Sequence, residues 1–205
     1  MTMESAWEAA QAAFHIEADA LENALTHISQ ESFMQAVNAL AKAERIAASG
    51  CGHSGIVCRH FAHLMCCIER PARFISPAEA VHGATGFVQA GDVMLLASRG
   101  GKTAELLPIL EICHKKRTVV IAITENLDSP LAKGADIVIP MAVTRETDRY
   151  NCQGTTSTTV LSAICDALQA ALIETTHYRS EQFALIHPGG AVGERLNRSA
   201  CGEEK

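Results

Sequence analysis

Aromatic residues make up only 4% of this 205-residue chain. That scarcity argues against recognition by stacking on bases or sugar rings. A basic surplus is absent as well. Seventeen Lys and Arg stand against 23 Asp and Glu, a formal charge of −6, which excludes the cationic surface of a general nucleic-acid binder. The opening Met1-Thr2-Met3-Glu4-Ser5-Ala6-Trp7 has no basic region before a long apolar core, so no export signal is expected. No apolar run is read as a membrane span, and a cytoplasmic protein is the expectation. The eight cysteines include no CxxC pair. They read as reduced residues packed in a core, Cys66-Cys67 among them, rather than as a disulfide framework or a metal site. Internal repeats, low-complexity tracts and linkers are lacking too.

What is present is a globular composition, 48% hydrophobic and 20% charged, enough for one well-buried domain with a small appendage. The most informative stretch is Val93-Met94-Leu95-Leu96-Ala97 followed by Ser98-Arg99-Gly100-Gly101-Lys102-Thr103-Ala104-Glu105. An unbroken apolar run of strand length suggests a buried parallel strand. Leu106, Leu107, Leu110 and Cys113 then share a helical face. A strand, a glycine- and hydroxyl-bearing loop and a helix make a natural anion seat, because a helix amino end carries unpaired N–H groups and partial positive charge. Glu105 is expected inside the first helical turn. Pro108 moves the helix start close to itself or makes that turn irregular.

The same arrangement occurs earlier, where Arg45 to Ala48 reads as a strand, Ser49 to Gly55 as a glycine-rich loop, and Ile56 to Ile68 as a helix. The spacing Gly50-Cys51-Gly52 and Gly55 resembles the start of a dinucleotide fingerprint. However, the acidic residue about twenty positions on, Glu79, falls on a loop or helix start rather than at a strand end, and no organic cofactor is expected. Further strands are read at Arg73–Ile75, Val119–Ile123 and Ile137–Pro140, the last as an edge strand. Asp128-Ser129-Pro130 caps a short helix to about Ala135. Val143 to Gly154 is a polar loop, and Thr155-Thr156-Ser157-Thr158-Thr159 opens a long amphipathic helix, its hydroxyls serving either as caps or as donors to an anion. Two helices, Glu4–His27 and Glu31–Lys42, precede the first strand and pack either on a partner subunit or back on the core. The tail from Phe183 to Gly193 looks too glycine-rich to continue a helix, and residues 197–205 are expected to fray. The expected fold is a three-layer α/β/α sandwich with a five-stranded parallel sheet, divided as a helical arm (1–43) and one α/β unit (44–205).

Several motifs together resemble the SIS (sugar isomerase) domain, and within it the D-arabinose-5-phosphate isomerase group. They are Ser49-Gly-Cys-Gly-His-Ser-Gly55, Pro77-Ala-Glu-Ala-Val-His82-Gly83, Ser98 to Glu105, Thr155-Thr-Ser-Thr-Thr159, Asp166-Ala-Leu168 and Phe183-Ala-Leu-Ile-His187-Pro-Gly-Gly190. The similarity runs from about Ser49 to Leu196. Usual members carry a tandem CBS pair after this domain, so the chain resembles a stand-alone form. The resemblance implies interconversion of an aldose phosphate and a ketose phosphate through an enediol, without an organic cofactor, in a homo-oligomer (dimer or tetramer). It implies Glu105, Glu146 and His187 as acid–base groups, with His53 at the position of a functional lysine. Gly52, Ser54, Ser98, Gly100, Gly101, Lys102, Thr103, Thr155, Ser157 and Thr158 are implied around the phosphate, and His82 at the pocket.

Three departures stand out. Histidine replaces the lysine at position 53. Arg99-Gly100-Gly101-Lys102 loses a serine and gains two cations. Ala84 stands where an aspartate is usual. A compensating role for Arg99 or Lys102 follows from these. The rival readings are a non-catalytic phosphosugar sensor and an SIS enzyme acting on a hexulose or amino-sugar phosphate.

Overall fold

Every residue of β3 (Val93–Ala97) is buried, because the strand is covered on both faces. Val93, Leu95 and Ala97 join one apolar cluster, while Met94 and Leu96 join another on the opposite side. The period-2 alternation of a strand sends neighbours to opposite faces, so a continuous apolar run is what a two-sided burial requires. The other strands are β1 (Ile46–Gly50), β2 (Ala72–Phe74), β4 (Val119–Thr124) and β5 (Ile137–Pro140). All are parallel, in the order β2-β1-β3-β4-β5, and Pro140 ends the edge strand as expected. The computed structural model describes residues 3–200, with side chains to 197.

On one face lie α1 (Met3–His27), α2 (Gln30–Lys42), α3 (Gly52–Cys67) and α7 (Thr156–Thr176). On the other lie α5 (Leu107–Lys116) and α6 (Pro130–Gly134), with the short α4 (Pro77–Ala80) after β2. This is the three-layer sandwich of the sequence reading. By length and composition α7 could cross a bilayer, yet Val160, Leu161, Ile164, Cys165, Leu168 and Leu172 bury it in the core between α1, α2 and α3.

The leading helices fold back on α7. Ser29 caps α2, its hydroxyl accepting from Ser32 N–H at 3.4 Å. The far end of α2 is held by one side chain: Arg70 donates to the carbonyls of Leu40, Ala41 and Ala43 at 3.0, 2.8 and 2.6 Å. These are the acceptors a helix end leaves unpaired. The fit of α1 is different. Only Ala20 and Ala24 are buried, while Trp7, Phe14 and Leu25 are 65%, 80% and 73% exposed.

Two expectations are corrected. The tail does break at His187-Pro188-Gly189, but on both sides of the break it is helical, as α8 (Ser180–Ile186) and α9 (Gly190–Ala200). Gly193 sits inside α9 because a Cβ there would lie 3.0 Å from the carbonyl carbon of Pro188, so it serves close packing and does not break the helix. Helix thus covers 197–200, whereas 201–205, with Cys201, lie outside the described residues. Cys66 is exposed and Cys67 half-buried. The buried face of α3 is Val57, Cys58, Phe61, Ala62 and Met65, and a residue turns 100° for each step along a helix. Cys58, Cys113 and Cys165 are core residues, and burial pushes the Cys58 thiol up to about 12.

Candidate functional site

Chain direction splits between β1 and β3. From β1 the chain moves outward to β2, then returns to the other side for β3 and continues to β5. The carboxyl ends of β1 and β3 therefore send their loops apart and leave a crevice, the usual ligand position in an open parallel sheet. The β1 loop leads directly into α3. A Cβ on Gly55 would lie 2.6 Å from the Gly50 carbonyl oxygen, so glycine is needed for the helix to start that close to the strand. Gly52 adopts φ +55°, a left-handed conformation that costs a residue with Cβ more than glycine. Gly55 N–H already bonds Cys51 O at 3.3 Å. The amides of Gly52, His53 and Ser54 are the orphan donors of a 16-residue helix.

The β3 loop is held by Gly101, at φ +63°. Its virtual Cβ would stand 2.5 Å from Ser129 Cβ and 2.9 Å from Thr124 Oγ1. Gly101 N–H donates back to Ser98, to both the carbonyl and the hydroxyl oxygen at 3.1 Å, and Ser98 Oγ pairs with Thr103 Oγ1 at 2.8 Å. These groups therefore shape the loop themselves; Gly100 and Lys102 are exposed, and Lys102 has no ion pair among the described residues. The helix begins at Leu107 with Pro108 in its first turn, after a turn closed by Leu106 N–H to Thr103 O at 3.0 Å. Glu105 lies in that turn and is exposed, not in the helix as expected, because the proline delays the start.

Glu146, 2% exposed, sits at the amino end of α7. Its carboxylate accepts from Arg99 Nη1 at 2.5 Å, Ser157 N–H at 3.1 Å and Thr155 Oγ1 at 3.2 Å. Burial pushes this carboxyl up, but the side-chain and backbone hydrogen bonds of Ser157, the Arg99 charge and the Thr155 hydroxyl outweigh it and hold the group below the ordinary carboxylate value. Thr155 also accepts from Thr147 N–H and its hydroxyl, and Thr158 Oγ1 donates to Gly154 O. The hydroxyl run at the start of α7 thus engages Glu146 and its own loop. The loop owes its shape to Asp148, which accepts from the amides of Tyr150, Cys152 and Gln153, and to Asn151, whose side-chain oxygen accepts from Glu146 N–H at 2.7 Å.

His53, Ser54, Ser98, Arg99, Ser157 and Thr158 line one narrow crevice with Met141 and Leu161. Glu105 and Gly52 line a neighbouring cavity of about 410 Å³ together with Cys51, Arg59, Phe74 and Ser76. The two spaces share the β1 loop as a wall. His82, exposed in the turn after α4, lines neither. His187 is far away: it stacks on Phe183 at 4.9 Å, and α8 docks at the other end of α3 through Gln182 to Glu69 at 2.8 Å. Sixteen residues of helix separate the two ends, about 24 Å at 1.5 Å per residue. The sequence reading missed Glu125. It closes the site through Arg99, and its place just after β4, on the same sheet edge, was the available signal.

Comparison with known proteins places this geometry. The SIS domain family model matches residues 39–173. Arabinose 5-phosphate isomerase KdsD of Pseudomonas aeruginosa is 36% identical over 187 residues, 91% of this chain and 57% of that protein. The chain spans little more than half the length of the curated relatives it matches, 54% for an Escherichia coli arabinose 5-phosphate isomerase KpsF that is also 36% identical. Among solved structures, a candidate sugar-phosphate isomerase from Listeria monocytogenes superposes with a TM-score of 0.89 at 37% identity, covering 92% of this chain and 100% of that one. A protein of Escherichia coli CFT073 in complex with arabinose 5-phosphate gives 0.85 at 29%, covering 92% and 100%. The chain belongs to the SIS domain family, as a phosphosugar-isomerase relative with a five-stranded parallel sheet.

Proposed function

We propose that this protein is an aldose–ketose isomerase of a sugar phosphate, a pentose phosphate such as D-arabinose 5-phosphate and D-ribulose 5-phosphate, working through an enediol. The observation that carries the reading is the buried, ionised Glu146, whose partners Arg99 and Ser157 line a crevice walled on the α3 side by His53 and Ser54, where the first amides of α3 are free. A phosphate dianion suits that wall, with Ser54, the Gly100 N–H and Lys102 as further donors. The reaction moves one proton between adjacent carbons and one between their oxygens. One carboxylate takes the proton alpha to the carbonyl and returns it to the neighbouring carbon, and the other serves the hydroxyl protons. Glu105 and Glu146 suit these two roles in either order. His53 borders the crevice at the position of the family's lysine.

Ring opening by His187 requires a second copy of the chain, since the histidine of the same chain is at the far end of α3. The exposed apolar residues of α1 are in keeping with a homo-oligomer, a dimer or tetramer. The seven described cysteines are free thiols, which fits a reducing compartment such as the cytoplasm.

The test is incubation with pentose, hexose and amino-sugar phosphates in deuterated water. Deuterium entering the carbon next to the carbonyl of a pentose phosphate is the expected result. Tight binding of a phosphosugar without exchange identifies a sensor instead. Glu105→Gln is expected to retain ligand binding and lose turnover about 100-fold or more, the usual range for removing an acid–base group.

A further inference from the structure

Arg99 does not stand alone against Glu146. Its Nε donates to Glu125 Oε2 at 2.7 Å and its Nη2 to the Val143 carbonyl at 3.3 Å, leaving Nη1 to meet Glu146 at 2.5 Å. The other oxygen of Glu125 accepts from Val143 N–H at 3.1 Å. The Arg99 carbonyl accepts from Glu125 N–H and from the Thr124 hydroxyl, both at 3.0 Å. One carboxylate beyond the end of β4 therefore ties together the loop after β3 and the segment that runs from β5 to Glu146.

A guanidinium is a planar fork, and fixing two edges of it fixes where the third points. The Glu146 side chain is 3% exposed, whereas those of Arg99 and Glu125 are each 36% exposed. The pair thus reaches from solvent down to the buried acid. We infer that Glu125 and Arg99 are positioning residues for the isomerisation: Glu125 orients the Arg99 guanidinium, and Arg99 in turn holds the Glu146 carboxylate in place. This rests on the reading of Glu146 as an acid–base group.

The arrangement suits a reaction in which a carboxylate gives and takes a proton without rotating away. The other charged groups near Glu146 leave this task to Arg99. Arg145 Nε donates to the backbone carbonyl of Glu146 rather than to its carboxylate. Asp148 is occupied by the amides of its own loop. His53 packs its ring against Gly154.

The experiment compares wild type with Glu125→Gln, Arg99→Lys and Arg99→Gln. The Glu146 carboxyl is titrated by carbon-13 NMR in the absence of ligand, assigned by its loss in Glu146→Gln, and exchange into D-arabinose 5-phosphate is followed across pH. Arg99→Gln is expected to raise the Glu146 titration by about one pH unit, with Glu125→Gln raising it less. In both variants the acid limb of the rate profile moves up with the titration, and kcat falls about 10- to 100-fold while KM changes less than about threefold. Arg99→Lys restores the charge without the fork, so it recovers the titration but not kcat. Exchange in the wild type with both readouts unmoved in Glu125→Gln overturns the positioning role alone. A wild-type protein in which the titration depends on Arg99 and Glu125, yet no phosphosugar exchanges, overturns the isomerase reading and leaves the charge coupling standing.

Discussion

Replacing Gly101 by alanine tests whether the β3 loop is held by its backbone. Two costs add. A Cβ in the left-handed region, here φ +63°, costs about 1–2 kcal/mol. The methyl also has no room, with Ser129 Cβ at 2.5 Å and Thr124 Oγ1 at 2.9 Å, and an overpacked site costs about 1–3 kcal/mol more. The expected destabilisation is about 2–5 kcal/mol. With a urea m-value of about 2 kcal/mol per molar for a chain of this size, the unfolding midpoint drops by about 1–2.5 M. Gly100→Ala is the internal control: its Cβ meets nothing within 4 Å and its φ is not positive, so it stays within about 0.5 kcal/mol of wild type. Ser129→Gly added to Gly101→Ala removes the contact with Ser129 but keeps that with Thr124 and gives up the cap of α6, so it is expected to restore little of the lost stability. Equal midpoints for Gly101→Ala and Gly100→Ala would refute the reasoning, since the two neighbours differ only in the features invoked.

Lys102→Ala is expected to raise the KM for a sugar phosphate about tenfold with kcat little changed, because an exposed ammonium contributes charge to binding and not to proton transfer; steady-state kinetics at fixed salt decide it, and an unchanged KM removes Lys102 from the phosphate site. Glu146 is held below its ordinary titration range, so the unfolded chain binds the extra proton first: its contribution to stability is complete above about pH 4.3 and is lost as pH falls through the lower folded value. Urea titrations of wild type and Glu146→Gln are therefore expected to converge as the pH is lowered through that window, and a constant difference down to about pH 2 would contradict the depressed value. Trp7→Glu combined with Phe14→Glu is expected to reduce the oligomer by light scattering while leaving the far-ultraviolet spectrum folded, and an unchanged mass means that α1 is not an interface.

How much of this was legible in the sequence depends on which interaction decided each feature. β3 and β5 fall where their apolar runs are, because burial on both faces or at a sheet edge writes itself into composition. The Ser129 cap of α6 was readable for the same local reason, its hydroxyl accepting from Ala132 N–H at 3.2 Å. Gly193 misled, since a glycine required by a neighbouring backbone looks like a glycine that ends a helix. By sequence the hydroxyls at the start of α7 suit caps or donors to an anion, and the anion they meet is Glu146 of the same chain. That pairing joins residues about ten apart through a loop shaped by Asp148, and no periodicity marks it. Arg99 stood out as an unexpected cation, but its two carboxylates lie 26 and 47 positions away. Only the parallel order of the strands brings them to one edge.

The contrast between the two leading helices has a consequence for how this protein opens. α2 is pinned at its carboxyl end by Arg70 and buries Ala36, Val37 and Leu40 in the main cluster, so its amides exchange with deuterium only when much of the core comes apart. α1 touches that cluster through Ala20 and Ala24 alone, and its first four turns exchange through a much smaller, separate opening. Covering the exposed stripe would merge the two openings into one, making the exchange rate of α1 a gauge of assembly.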